Sequence, residues 1–134
     1  EIVRLKGRII RVIKRPPEFD VLQIGLRPDD DTLRENIEKR IDFMLKRGLI
    51  AESKKLKTKL SPKKIKELGF EYSVTMEYLN GKIDKEKLGE ILNIKNRQYA
   101  KRQITWFKRD KRIKWFKPDK YRKIEKEAAN HLKK

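Results

Sequence analysis

The chain contains no cysteine, so it has no disulfide, no thiol nucleophile and no cysteine-ligated metal. That usage fits a reducing compartment, and a cytoplasmic protein is expected. Histidine occurs once, at His131 near the end of a terminal helix expected to fray, and no catalytic role is assigned to it. The phosphate-cradling pattern Gly-x-x-x-x-Gly-Lys-Ser/Thr is missing. No His pair or acidic cluster has the spacing of metal ligands, so no metal-binding residue is assigned. Asp29-Asp30-Asp31 reads as the acidic start of a helix rather than a Mg²⁺ site. No apolar run approaches the roughly 20 residues a membrane-spanning helix needs, and no signal peptide is recognisable, so no membrane partner is expected. The first residue is Glu1 rather than Met, and a fragment or trimmed chain is expected.

Charge is what the chain has in excess. Of 134 residues, 43% are charged and 37% hydrophobic, and the formal net charge is +18. The length allows one domain, or part of one, with a modest core. Helical and strand periodicity argues against disorder. Residues 93–126 carry fourteen Lys or Arg against three acids, whereas residues 27–92 carry sixteen against thirteen. Positive charge concentrated in one quarter of a chain points to a polyanion surface. The plainer explanation is a lysine-rich surface composition from an AT-rich or heat-adapted genome.

Apolar spacing predicts a mostly helical chain. Ile2, Leu5, Ile9 and Val12 or Ile13 suit a helix over 2–14, which Arg15-Pro16-Pro17 stops. Residues 21–26 have the length and composition of a strand. A helix should then start at Asp29-Asp30-Asp31-Thr32, with Thr32 and Glu35 as a capping box and Leu33, Ile37, Ile41 and Met44 as its buried stripe. Gly48 ends it, and a second helix runs from 49 to 60. Ser61-Pro62 opens a short helix to Gly69, and 70–79 continues helically to Asn80-Gly81. Asp84 caps the longest helix, over about 85–108. A strand at 113–116 follows, and Asp119 should cap a last helix carrying Ile124, Ala128 and Leu132. The two strands could pair with each other or belong to a sheet outside this chain.

The densest functional signal is Arg97-Gln98-Tyr99-Ala100-Lys101-Arg102-Gln103-Ile104-Thr105-Trp106-Phe107. On a helix, Arg97 and Lys101 are i,i+4 neighbours, while Tyr99, Gln103 and Trp106 share another stripe. Phosphates need cations, and bases need flat π-faces and groups that bond their edges. Composition alone also suits a solvated face over a core, and Trp106 could be either a core anchor or a stacking platform.

The word order adds more. Tyr99-Ala100-Lys101-Arg102-Gln103-Ile104-Thr105-Trp106 resembles the signature of the tRNA dimethylallyltransferases. Other blocks of that family are matched in order by Leu22-Gln23-Ile24-Gly25-Leu26, by Ile37–Leu45 with Gly48-Leu49-Ile50, by Leu68-Gly69-Phe70 with Tyr78-Leu79-Asn80-Gly81, and by Ile113-Lys114-Trp115-Phe116. The helix at 2–14 is similar to the family's arginine-rich helix, with a shortened segment after it. The resemblance implies a P-loop-like α/β core and a helical part that together grip the anticodon stem-loop of tRNA. It implies Mg²⁺-dependent transfer of a dimethylallyl group from its diphosphate to N6 of an adenosine extruded beside the anticodon.

By position, Lys101 to Lys108 (Lys101, Arg102, Gln103, Ile104, Thr105, Trp106, Phe107 and Lys108) matches the family segment that meets tRNA, with Arg97 a turn earlier. Lys66, Gly69 and Phe70 match a second tRNA-facing turn, after which Glu71 stands where a cation is usual. Arg40 matches an arginine near the diphosphate, and so is the candidate catalytic residue. Its plainer role is a local pair with Asn36 or Glu38. Asn36 and Asn96 depart from the expected Arg and Thr.

The fold class implied is mainly α: a helical tRNA-gripping region at 32–108, and core-associated segments at 1–31 and 109–134 whose two short strands complete the sheet of the whole enzyme. Within that enzyme the expected partners are tRNA, dimethylallyl diphosphate and an N-terminal catalytic half, with Mg²⁺ as cofactor. This chain alone has no phosphate loop or general base, binds no cofactor and is expected to be inactive. The rival classes are a stand-alone, non-enzymatic basic RNA-binding module and a structural helical protein whose charge is only solvation.

Overall fold

The structure is a computed structural model, described over residues 19–133. The helix expected at 2–14 lies outside the described residues. Along the rest, the order is β1 (Gln23–Leu26), α1 (Asp30–Lys46), α2 (Leu49–Lys59), α3 (Pro62–Leu68), α4 (Phe70–Leu79), α5 (Lys85–Phe107), β2 (Ile113–Phe116) and α6 (Tyr121–Leu132). The chain is mainly α, as the apolar spacing predicts. The two strands pair with each other in parallel, with Gln23 opposite Ile113 and Leu26 opposite Phe116.

Local chemistry explains most boundaries. Asp29 caps α1, its Oδ1 accepting from the Thr32 N–H at 2.9 Å. The Thr32 side chain first, and then its backbone N–H, hold the Asp29 carboxyl below its ordinary pKa. The helix therefore begins earlier than a Thr32 cap would allow, and Glu35 reaches forward to Lys39 instead of back to a cap. Ser61 and Asp84 cap α3 and α5 through side-chain bonds to the Lys64 and Lys87 N–H groups. Gly48, at φ 98°, turns the chain between α1 and α2 in a conformation that side chains avoid. Asp119 does not cap α6. Lys120 holds that position without a side-chain bond, and the Asp119 carboxylate pairs with the Lys120 ammonium at 2.7 Å.

The core joins Ile37 and Ile41 of α1, Leu49 of α2, Val74 of α4, and Leu88 and Leu92 of α5. Leu33 and Met44 are half-buried against it, so the expected α1 stripe is in place. Leu88 and Leu92 are fully enclosed, which makes the first half of α5 the pivot of the bundle. The Tyr72 hydroxyl donates to Glu52 at 3.1 Å and the Lys57 ammonium to Asn80 at 2.6 Å, tying α2 to α4 and the turn after it. α6 joins the sheet through a Lys114–Glu127 ion pair, and His131 sits 3.3 Å from the Asp20 carbonyl. No residue of α6 is buried, and Leu132, expected on its apolar stripe, is 85% exposed.

Ser53 on α2 is fully enclosed, and its hydroxyl meets no hydrogen-bond partner. A buried hydroxyl left unsatisfied costs more than a bonded one returns. Ser53→Ala should therefore raise stability by about 1 kcal/mol. Urea denaturation followed by circular dichroism checks this, and a lowered midpoint would mean the hydroxyl is satisfied after all.

Candidate nucleic-acid interface

α5 changes character along its length. Its buried side chains are Leu88, Leu92 and Asn96, each four residues after the last and so on one face. From Arg97 onward none is buried, though Ala100 and Ile104 are half-covered. The second half thus carries the signature on an exposed helix anchored by its first half. At 23 residues the whole helix is about 34 Å long.

Two hollows flank this exposed half. One, of about 610 Å³, lies between α5 and the N-terminal part of α1, and Arg34, Arg97, Lys101 and Lys108 line it beside the apolar Ile94 and Ile104. The other, of about 460 Å³, is lined by Gln98, Lys101, Arg102, Thr105, Trp106 and Arg109. Gln98, Lys101 and Thr105 border both. A third hollow, near the sheet, brings Trp106 and Phe107 together with Ile24, Leu26 and Trp115. Trp106 is 65% exposed and packs edge-on against Phe107, with ring centroids 5.0 Å apart. It is a surface ring, not a core anchor. The Thr105 hydroxyl donates to its own helix at the Lys101 carbonyl, 2.8 Å away, and still offers lone pairs outward.

The other candidates lie at the buried end of the helix. Arg40 on α1 donates from Nη1 to Asn96 Oδ1 at 3.3 Å and faces Glu71 with Nη2 at 3.7 Å. Its partners therefore come from α5 and α4, not from Asn36 or Glu38. Gly69, at φ 144°, starts α4, and an added Cβ there would stand 3.0 Å from the Glu71 carboxylate. Phe70 meets Tyr99 of the signature with centroids 6.4 Å apart. The structure thus joins Gly69 and Phe70 to the Arg40 neighbourhood and to the signature. Lys66 and Gln103 are exposed and line none of the three hollows.

Arg27, Arg34 and Arg109 also belong to this surface, although no motif marked them. Arg27 stands just past the C-terminal end of β1, where ligands collect in parallel sheets, and its position there was the available signal. Chemically, the surface offers cations for phosphates, exposed rings for bases and hydroxyl or amide groups for base edges. Among the described residues no group of three or more His, Cys, Asp or Glu could hold a metal. No described helix is long and apolar enough to cross a membrane.

Comparison with known proteins gives the surface its context. The family model described as IPP transferase matches residues 1–110. A tRNA dimethylallyltransferase of Pelotomaculum thermopropionicum is 38% identical over 118 residues, covering 84% of this chain and 38% of that protein. One from Clostridioides difficile is 39% identical over 114 residues, covering 84% and 37%. The full-length tRNA isopentenylpyrophosphate transferase of Bacillus halodurans superposes with a TM-score of 0.77 at 30% identity, over 99% of this chain and 43% of that one. The tRNA delta(2)-isopentenylpyrophosphate transferase of Staphylococcus epidermidis gives 0.59 at 35% identity, over 75% and 33%. Fold and matches together define a mainly α chain of a transferase family. The chain belongs to the IPP transferase family, and it spans about two-fifths of the length of these curated relatives.

The turn between α5 and β2 holds a carboxyl drawn well below its ordinary range. Asp110 accepts from the Arg112 guanidinium at 2.9 and 2.6 Å and from its backbone N–H at 3.0 Å, which holds the carboxyl at about 2. A depressed folded pKa adds stability above the ordinary value of 3.8, and that contribution disappears as pH falls towards about 2. Arg112→Ala removes the guanidinium bonds but keeps the backbone one, so it should raise the Asp110 midpoint part of the way to the ordinary carboxylate range in an NMR titration. An unmoved midpoint would mean that another group holds the charge.

Proposed function

We propose that this chain is the C-terminal, tRNA-binding part of a transferase that moves a dimethylallyl group from its diphosphate to N6 of the adenosine next to the anticodon. In this reading residues 32–108 grip the anticodon stem-loop, and residues 1–31 and 109–134 associate with an α/β core supplied by an N-terminal half. The observation that carries it is the exposed second half of α5, where cations and solvent-facing rings share one helix. Family membership supports it too, as do the names of the relatives. The whole enzyme works in the cytoplasm.

Arg40 acts on the donor. Its guanidinium is planar and permanently charged, suited to the negative charge that develops on departing diphosphate. Among the described residues no acidic cluster fits a Mg²⁺ site: Asp29 is committed to its helix cap, and Asp30 faces Arg27 at 3.7 Å. Mg²⁺ ligands and the group that takes the N6 proton belong to the N-terminal half, so residues 1–134 alone transfer nothing.

Binding should depend steeply on salt, because each phosphate neutralised releases counterions. Fluorescence anisotropy across a salt series should show anticodon stem-loops bound more tightly than duplex RNA. Trp106→Ala should keep the wild-type circular dichroism spectrum while weakening stem-loop binding by on the order of tenfold, the scale of one lost base stack. Equal affinity for stem-loop and duplex would leave only a cationic surface.

In the full-length enzyme, Arg40→Ala should slow transfer by roughly 10²–10³ with tRNA affinity little changed. Prenylated tRNA made by the isolated chain, or an Arg40→Ala enzyme with normal turnover, would overturn the assignment.

A further inference from the structure

Asn96 occupies a place where an apolar side chain is the ordinary choice. It follows Leu88 and Leu92 along the buried face of α5 and is 3% exposed. A primary amide in such a place is costly unless both of its ends are bonded. Its Nδ2 donates to the Leu92 carbonyl at 2.9 Å, and its Oδ1 accepts from Arg40 Nη1 at 3.3 Å. A carbonyl only accepts and a guanidinium only donates, so these two partners admit one orientation of the amide.

The consequence falls on Arg40. Its side chain is 58% exposed, so the guanidinium is gripped at one corner while much of it faces solvent. The second partner, Glu71, stands farther off at 3.7 Å, and an incoming oxyanion can displace it. Asn96 differs in kind, because a neutral amide fixes direction without cancelling charge. A flexible arginine loses much of its freedom when it binds an anion, and one already held loses less.

We propose that Asn96 is a positioning residue for Arg40, holding the guanidinium aimed at a phosphate-class oxyanion. This inference rests on the reading of Arg40 as the group that meets the leaving diphosphate. Asn96 touches neither substrate; it acts through the arginine.

The test is a double-mutant cycle in the full-length enzyme, with turnover measured on tRNA and dimethylallyl diphosphate and thermal melting followed in parallel. Asn96→Leu keeps the volume and removes both bonds. It should lower kcat by about tenfold, the loss of one directional bond, with KM for tRNA within about twofold. Its melting temperature should hold or rise, because an apolar side chain replaces a buried amide. The double variant with Arg40→Ala should be no slower than Arg40→Ala alone. Asn96→Asp keeps the shape but adds a charge that neutralises the guanidinium, so it should also lose turnover while remaining folded. Normal turnover in either Asn96 variant, or losses that multiply in the double variant, would overturn the positioning role. Normal turnover in Arg40→Ala would instead overturn the reading of Arg40 on which it rests. A lower melting temperature for Asn96→Leu with unchanged kcat would mark a purely structural residue.

Discussion

The seam formed by Leu88 and Leu92 of α5 against Ile37 and Ile41 of α1 and Val74 of α4 is the contact on which the rest of the molecule depends. It is small, and few other side chains are fully enclosed. It holds only the first half of α5, so the second half stands out on the rigidity of the helix itself. Separating anchor from working surface in this way resolves a conflict. A helix that must present cations and rings to a partner cannot bury them, and a mostly polar helix of that length has little tertiary packing to hold it. Placing the apolar repeat first and the basic one after it meets both needs.

Much of this architecture was legible in the residues. Caps at Ser61 and Asp84, the turn at Gly48 and the apolar repeats located the helices to within a residue or two, because those signals act locally. Asp119 misled for the same reason. It has the chemistry of a cap, but the turn ahead of α6 gives the capping position to Lys120. The strands were legible as strands, but their pairing was not, since register between distant segments leaves no periodic mark.

The candidate site was legible as a stretch and not as a shape. Arg97 to Lys108 stood out by composition and word order, and its exposed cations lie together on the helix. The exposure of Trp106 could not be read, because a ring at helical spacing serves core and surface equally well. Asn96 was visible only as a departure from an expected Thr. Its burial and its bond to Arg40 depend on packing between segments 56 residues apart. Arg34 and Arg27 were missed because they join α5 only across the bundle.

The parallel ladder has an entropic side. Each residue of β1 is paired with one 90 positions further along the chain, since Gln23 faces Ile113. Closing a flexible loop of that size costs about 4 kcal/mol of chain entropy before any bond forms, while each helix between the strands forms on contacts within its own turns. Preorganisation of the helices shortens the effective loop and lowers the entropy that pairing the strands must overcome. The ladder therefore works as a clasp: it leaves the entry and exit of the helical segment side by side, and a segment with neighbouring ends can sit within a larger sheet without pulling its strands apart.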